Sequence, residues 1–348
     1  MDIFSPINIK GKEIKNRIVF PPLVNFAWSE TDGIATPRHV AHYEERAKGG
    51  AGLIIVEATC INQQGRIFNY QLGAWSDDQI DGLSKITAAC HKHGAVILLQ
   101  IHHAGLVTRK AVSEFAYGPS VDPENERSVE LTIEQIHQIR DEFIAAAIRA
   151  EKAGFDGVEL HGAHGYLLSQ FASSAINRRT DEYGGSTENR LRLACEIIDG
   201  IKASTGKDFI IDYRLAACSP TLADGIEIAQ LLEKKGVDII HASHGGEKGI
   251  NAEVPAGFDF NSIVYMGTEI KKHVKVPVIV VNQIQTPKRA DKIISSGLAD
   301  FVAIGRDMLT DAHWANKAKK GENIIYCIDC QPKCKRYVKA TSCPLFSE

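Results

Sequence analysis

Two histidines and a tyrosine stand close together in His161-Gly162-Ala163-His164-Gly165-Tyr166. At a separation of three, His161 and His164 could share one side of a helical turn, and more than one chemistry suits them. A metal site would need a third ligand and an open position. His102 or His103, in Gln100-Ile101-His102-His103-Ala104-Gly105, is available for it, although the segment His161–Tyr166 offers no carboxylate. Alternatively, the two rings supply N–H donors to an anionic or carbonyl oxygen while the Tyr166 phenol gives a proton; or they are ordinary, satisfied core residues. Arg214, Asn282-Gln283 and Gly305-Arg306 add polar groups of a second kind. A glycine that lets backbone N–H groups approach, followed by a guanidinium, suits a phosphate. Cys327, Cys330, Cys334 and Cys343 crowd the end of the chain. Thiolates at such spacing suit an iron–sulfur cluster or zinc, and in a reducing compartment they point to metal before disulfide. Cys60, Cys90, Cys195 and Cys218 are scattered singly among apolar residues and read as buried free thiols.

These residues need a scaffold, and the chain spells one out. Short β-branched runs occur at 18–21, 52–57, 96–101, 157–160, 209–213, 237–241, 278–281 and 301–304. Between most of them lie amphipathic stretches closed by glycine: 38–48, 78–92, 133–152, 189–204, 226–235 and 287–295. Strict alternation predicts a parallel sheet, and eight units predict a closed α/β architecture, the (β/α)8 TIM barrel. A doubly wound sheet would carry G-x-G-x-x-G after its first strand, and Ile18-Val19-Phe20-Pro21-Pro22-Leu23 is followed by no such loop. The polar segments follow the predicted strand ends, where barrel enzymes keep their chemistry. At 348 residues the chain fits one barrel, expected over 1–322, with a Cys-rich C-terminal extension over 323–348.

With 44% hydrophobic and 24% charged residues the composition is that of a globular protein, and a net charge of −3 offers no basic field for nucleic acid or a membrane surface. No apolar run approaches the roughly 20 residues of a membrane span, and the N-terminus has no basic-then-apolar leader. A cytoplasmic protein acting on a small molecule is expected, with neither nucleic acid nor membrane as partner, and as a homo-oligomer.

Taken together these motifs resemble the Old Yellow Enzyme family of FMN-dependent oxidoreductases along nearly the whole chain. The matching segments are Phe4-Ser5-Pro6-Ile7, Lys15-Asn16-Arg17-Ile18-Val19, Asp32-Gly33, Gly52 to Thr59, Gln100 with His103-Ala104-Gly105, and Asn177-Arg178-Arg179-Thr180-Asp181-Glu182-Tyr183-Gly184-Gly185-Ser186. The resemblance implies an ene-reductase that uses NAD(P)H as reductant. Pro21, Pro22 and Leu23 would line the FMN, Ala58 would lie near its pyrimidine side, Gln100 would bond its edge, and Arg214 would lie beside N1 and the C2 carbonyl. Asn282, Gly305 and Arg306 would hold the phosphate. His161 and His164 match the pair that binds the oxygen of an activating group, and Tyr166 matches the proton donor. The substrate would be a small unsaturated carbonyl, enoate or dienoyl compound, with hydride passing from flavin N5 to its β-carbon.

The cysteine spacing is similar to the branch with 2,4-dienoyl-CoA reductase, enoate reductases and trimethylamine dehydrogenase, in which four cysteines hold a 4Fe–4S cluster. Two departures stand out: the last gap is shorter, and the chain lacks the dinucleotide-binding domain appended in that branch. A cluster would therefore require a separate electron-donating protein, whereas zinc or an empty site would leave direct reduction by NAD(P)H. Two other readings use the same barrel: an oxidative amine dehydrogenase or demethylase, and a flavin electron-relay subunit of a larger complex. The intact histidine pair weighs against the first and Tyr166 against the second.

Overall fold

Eight apolar runs form parallel strands: β1 Ile18–Phe20, β2 Leu53–Cys60, β3 Val96–His102, β4 Gly157–Gly162, β5 Ile210–Ala216, β6 Ile239–Ser243, β7 Val278–Val281 and β8 Phe301–Ala303. β8 pairs back onto β1 through Val302↔Ile18 and Ala303↔Val19, so the sheet closes into the expected (β/α)8 barrel. This computed structural model describes residues 1–345 apart from Phe26 and the stretches 246–251, 332–333 and 336–341.

Helices α1 Pro37–Lys48, α2 Ile80–His91, α3 Ile133–Lys152, α4 Arg192–Ser204, α5 Leu222–Lys235, α6 Ser262–Lys271 and α7 Pro287–Ser295 connect the strands. After β8 come two short helices, Arg306–Thr310 and Trp314–Lys320. Capping sets where the helices begin. Thr132 and Gln135 start α3 with a reciprocal box, Thr132 Oγ1 accepting from Gln135 N at 3.3 Å and Gln135 Oε1 from Thr132 N at 2.9 Å. The buried face of α3 is Ile136, Ile139, Phe143, Ala146, Ala147 and Ala150, a helical period that seats it on the sheet.

Inside the barrel the side chains change character with height. Val19, Leu53, Ile55, Val96, Leu98, Ile210, Ile239, Ile279 and Phe301 make an apolar lower core. An antiparallel hairpin, Ile7–Ile9 with Lys12–Ile14, closes it from below with Ile9 and Ile14. Lys10 and Lys12 pin this plug to Asp238 and Asp156 at 3.0 and 3.1 Å. Higher up, the buried residues at inward positions of β3 to β6 are Gln100, His102, Glu159, His161, Asp212, Arg214 and His241.

Some boundaries differ from those read in the sequence. β2 to β6 run two or more residues further at their C-terminal ends than expected, except β3, which gains one. The expectation stopped each strand near its first polar residue, but polar residues continue the ladder when they point into the barrel. The stretch expected as one helix over 189–204 is two pieces, Thr187–Arg190 and Arg192–Ser204, and α5 begins earlier, at its Thr221–Asp224 cap. The hairpin and α6 were not expected; α6 starts from an Asn261 cap rather than from an apolar signal.

Candidate active site

His161 lies within β4 and His164 in the loop beyond it, so the expected helical turn is not what joins them. The loop joins them instead, with His164 at φ +60°, in the left-handed region. Its backbone N–H donates to His244 O at 3.0 Å, and its Nε2 meets Ser243 Oγ at 2.8 Å, both from the end of β6. His164 Nδ1 and His161 Nε2 are 3.3 Å apart.

One tautomer set satisfies this chain. Ala163 N donates to His161 Nδ1 at 3.4 Å, which leaves the proton on His161 Nε2 to face His164 Nδ1, and the His164 proton on Nε2 to face Ser243. Burial, and then the neighbouring charges, hold both imidazoles well below the ordinary histidine range, so both rings are neutral near pH 7.

Tyr166 stands at the start of the short helix Leu167–Ala172. Its ring packs edge-on to His102 and His161, with centroids 4.4 and 4.8 Å away. The two adjacent histidines of β3 thus part company. His102 points into the site; burial takes it down to about 3, and neither of its nitrogens has a partner among the described residues. His103 points away and accepts from Gly105 N at 3.0 Å. A Cβ on Gly65 would lie 2.3 Å from the His103 ring, so only glycine fits there.

Beside the histidines a cavity of about 240 Å³ runs between the ends of β1, β5, β7 and β8. Pro21, Leu23, Arg214, Asn282, Gly305 and Arg306 line it together with His164 and Ser243. Among the residues expected at the cofactor, these come together; Gln100 and Ala58 are buried in β3 and β2, and Pro22 follows β1 in the same segment as Pro21. The donor set suits a flat aromatic group bearing a phosphate: apolar Pro21 and Leu23, and two guanidinia, Arg214 and Arg306. Asn282 has φ +97° and Gln283 φ +53°, an uncommon backbone held by Asn261 Nδ2 donating to Asn282 O at 3.1 Å. Arg306 is ion-paired with Asp329 of the C-terminal extension. The expected phosphate contact would therefore share or displace that carboxylate.

The four C-terminal cysteines are half-buried free thiols. Cys327 N donates to Asp307 Oδ1 at 2.9 Å, which ties the extension to the short helix Arg306–Thr310 after β8.

Sequence reasoning missed several groups. Ser243 ends β6 and His244 follows it, just as the recognised segments lie at their strand ends, and His241-Ala242-Ser243-His244 carried that signal. Asn25 and Glu57 were missed as well. Glu57 accepts from Asn25 N at 2.7 Å and Asn25 Nδ2 at 2.6 Å, which fixes the segment after β1 against β2. Glu159 and Asp212, buried between β4 and β5, gave no sequence signal beyond an acidic residue in an apolar run.

The sequence matches the model of the NADH:flavin oxidoreductase / NADH oxidase family over residues 2–324. It is 41% identical to an NADH oxidase of Thermoanaerobacter brockii over 96% of this chain, which spans 53% of that longer protein. It is 39% identical to an NADPH dehydrogenase of Bacillus subtilis over 92% of this chain and 95% of that one. Among solved structures, a 2-naphthoyl-CoA reductase complex superposes with a TM-score of 0.87 at 26% identity, covering 94% of this chain and 53% of that one. An old yellow enzyme homologue from Zymomonas mobilis gives 0.80 at 28% identity, over 94% and 95%. No helix among the described residues is long and apolar enough to cross a membrane. The barrel, the polar rim and these matches agree: the chain belongs to the NADH:flavin oxidoreductase / NADH oxidase family, the Old Yellow Enzyme family of FMN-dependent NAD(P)H oxidoreductases.

Proposed function

We propose that this chain is an ene-reductase, reducing the C=C bond of α,β-unsaturated carbonyl, enoate or dienoyl compounds. The observation that carries this reading is the meeting of His161, His164 and Tyr166 at the edge of the Arg214 cavity. FMN, held by Pro21, Pro22, Leu23, Ala58, Gln100, Arg214, Asn282, Gly305 and Arg306 and reduced by NAD(P)H, would supply hydride chemistry there.

The residues do the rest. The 3.3 Å contact between the histidines is long for a hydrogen bond. A substrate oxygen that gains negative charge is the better acceptor, so it takes the His161 proton from His164 and receives a charge-assisted bond. Both rings being neutral, His161 has its Nε2–H to give, and the His164 Nε2–H becomes available to the oxygen when it leaves Ser243. Tyr166, clamped between His102 and His161, is placed to protonate the α-carbon. The morphinone reductase and 2-naphthoyl-CoA reductase among the structural neighbours support reduction. A histamine dehydrogenase is also a neighbour, at a TM-score of 0.83, but a proton donor beside an oxygen-binding histidine pair serves reduction of an alkene rather than oxidation of an amine.

Replacing both His161 and His164 with alanine tests the reading. FMN should stay bound while enone reduction falls on the order of 10²–10³-fold, the usual cost of losing a preorganised oxyanion donor. An unchanged enone rate, or purified protein that releases FAD or no flavin, refutes it. Cys327, Cys330, Cys334 and Cys343 have the donor type for a 4Fe–4S cluster or zinc. As ligands they would hold such a group at the C-terminal extension, and the alkene chemistry above draws on none of them.

A further inference from the structure

Below the histidines the barrel encloses two carboxyl groups that the proposed chemistry does not use. Glu159 and Asp212 are register partners on β4 and β5, and both are 0% exposed. The ionisable and polar groups facing them are Gln100 and His102 from β3, His161 from β4, Arg214 from β5 and His241 from β6. Glu159 is fully served: Oε1 accepts from Gln100 Nε2 and Oε2 from His241 Nδ1, each at 2.6 Å. With a donor on each oxygen, Glu159 is the ionised member.

Asp212 is the opposite case. Neither of its oxygens makes a hydrogen bond of good geometry among the described residues; the Tyr213 backbone N–H favours its charged form only as the least of the influences on it, and the side chain within hydrogen-bonding reach is the Glu159 carboxylate, itself an acceptor. A second bare carboxylate here would bear the full cost of burial and the repulsion of its neighbour, and Arg214 can balance one negative charge, not two. Burial and then the charge of Glu159 push the Asp212 carboxyl well above its ordinary range. Burial also pushes Glu159 up, but the His241 contact and Arg214 bring it below its ordinary range. A cation is a poor alternative occupant, because both Glu159 oxygens already face N–H groups and a guanidinium stands alongside.

We propose that Glu159 and Asp212 share a single proton, Asp212 donating to Glu159, and that this singly charged pair is the counter-charge of Arg214 that sets the potential at which bound flavin is reduced. The second half rests on the reading of Arg214 as a flavin contact; the first does not. The proton balance is simple: one carboxyl hydrogen, one carboxylate and one guanidinium, with no net charge left inside the barrel.

Infrared spectroscopy of the intact protein, with a carbon-13 label at the aspartate carboxyl carbon, tests the first half. A protonated carboxyl band that shifts with the label is expected at neutral pH, and it should vanish in Asp212→Asn. Carboxylate bands alone would overturn the proposal, whether or not flavin is bound. The midpoint potential of the flavin tests the second half. If the pair carries one charge, Glu159→Gln and Asp212→Asn each leave one ionisable carboxyl, so each should leave the potential nearly unchanged, whereas the double variant should raise it. Equal upward shifts in the single variants, summing in the double, would mean two ionised carboxylates. No shift in the double variant would mean that the pair does not balance Arg214, and either result overturns the proposal.

Discussion

Tyr166 carries a role that can be separated from its packing. Its ring lies edge-on to His102 and His161, 4.4 and 4.8 Å between centroids, and phenylalanine preserves both contacts while deleting the hydroxyl. Flavin reduction by NAD(P)H needs no acid beside the alkene, but completing alkene reduction needs a proton at the α-carbon. Tyr166→Phe should therefore leave the first half-reaction near normal and slow reoxidation by an enone about 10²–10⁴-fold, the usual contribution of a general acid. Stopped-flow measurement of each half-reaction decides it: equal slowing of both means a damaged site, and no slowing means that another group supplies the proton. At this scale the sequence was legible in residue type and opaque in direction. His161, His164 and Tyr166 could be singled out from their spacing, yet the spacing suggested a helical turn where a strand end and a left-handed His164 do the work. Nor could sequence say which of His102 and His103 faces the site, because in a strand neighbouring side chains point to opposite sides and a one-residue shift exchanges them.

Elements are fixed to one another by buried polar contacts more than the apolar pattern suggests. The segment after β1, which brings Pro21 and Leu23 to the cavity, is held at its far end by Asn25, whose backbone and side-chain N–H groups both donate to Glu57 of β2. The Tyr43 hydroxyl of α1 reaches the same carboxylate at 3.3 Å. Glu57→Gln would turn one acceptor oxygen into a donor that faces another donor. Loss of a buried charge-assisted bond costs about 1.5–3 kcal/mol, and here the loss should also free the segment lining the cavity. The expected outcome is a lower urea midpoint together with weaker FMN retention, and the Asn25→Ala and Glu57→Gln effects should not add, since each breaks the same contact. Additive effects would show that the two residues act separately. The eight strands and most helices were legible because a parallel strand buried on both faces leaves a continuous apolar run and helices end at glycine. The hairpin plug was hidden because its strands have three residues each, and α6 because its signal is a cap.

The whole molecule stacks an apolar lower barrel under a polar upper one, and that arrangement has a consequence for acid stability. Burial takes His39 and His103 down to about 4 and His102 to about 3; burial also lowers His161, His164 and His241. In the unfolded chain these rings titrate near 6.5, so between about pH 6.5 and pH 4 the unfolded state binds more protons than the folded one. Stability contributed by the neutral rings is thus present above pH 6.5 and lost as pH falls below it. Each histidine supplies a slope of about 1.4 kcal/mol per pH unit, so His39, His102 and His103 alone give on the order of 4 kcal/mol per unit near pH 5. Asp212 works in the opposite sense, because its raised carboxyl keeps a proton in the folded state that the unfolded chain has released, and it removes one proton's worth of that slope. His102 is the residue with which to measure this, since its ring is buried and neither nitrogen has a partner among the described residues. His102→Leu should cost little at pH 7, where it replaces an unsatisfied polar ring with an apolar group. It should also flatten the fall in unfolding free energy between pH 6.5 and pH 4 by about 1.4 kcal/mol per unit. Denaturant unfolding of both proteins across that range provides the slopes; an unchanged slope in His102→Leu would mean that the native protein already accommodates a charged imidazole at that position.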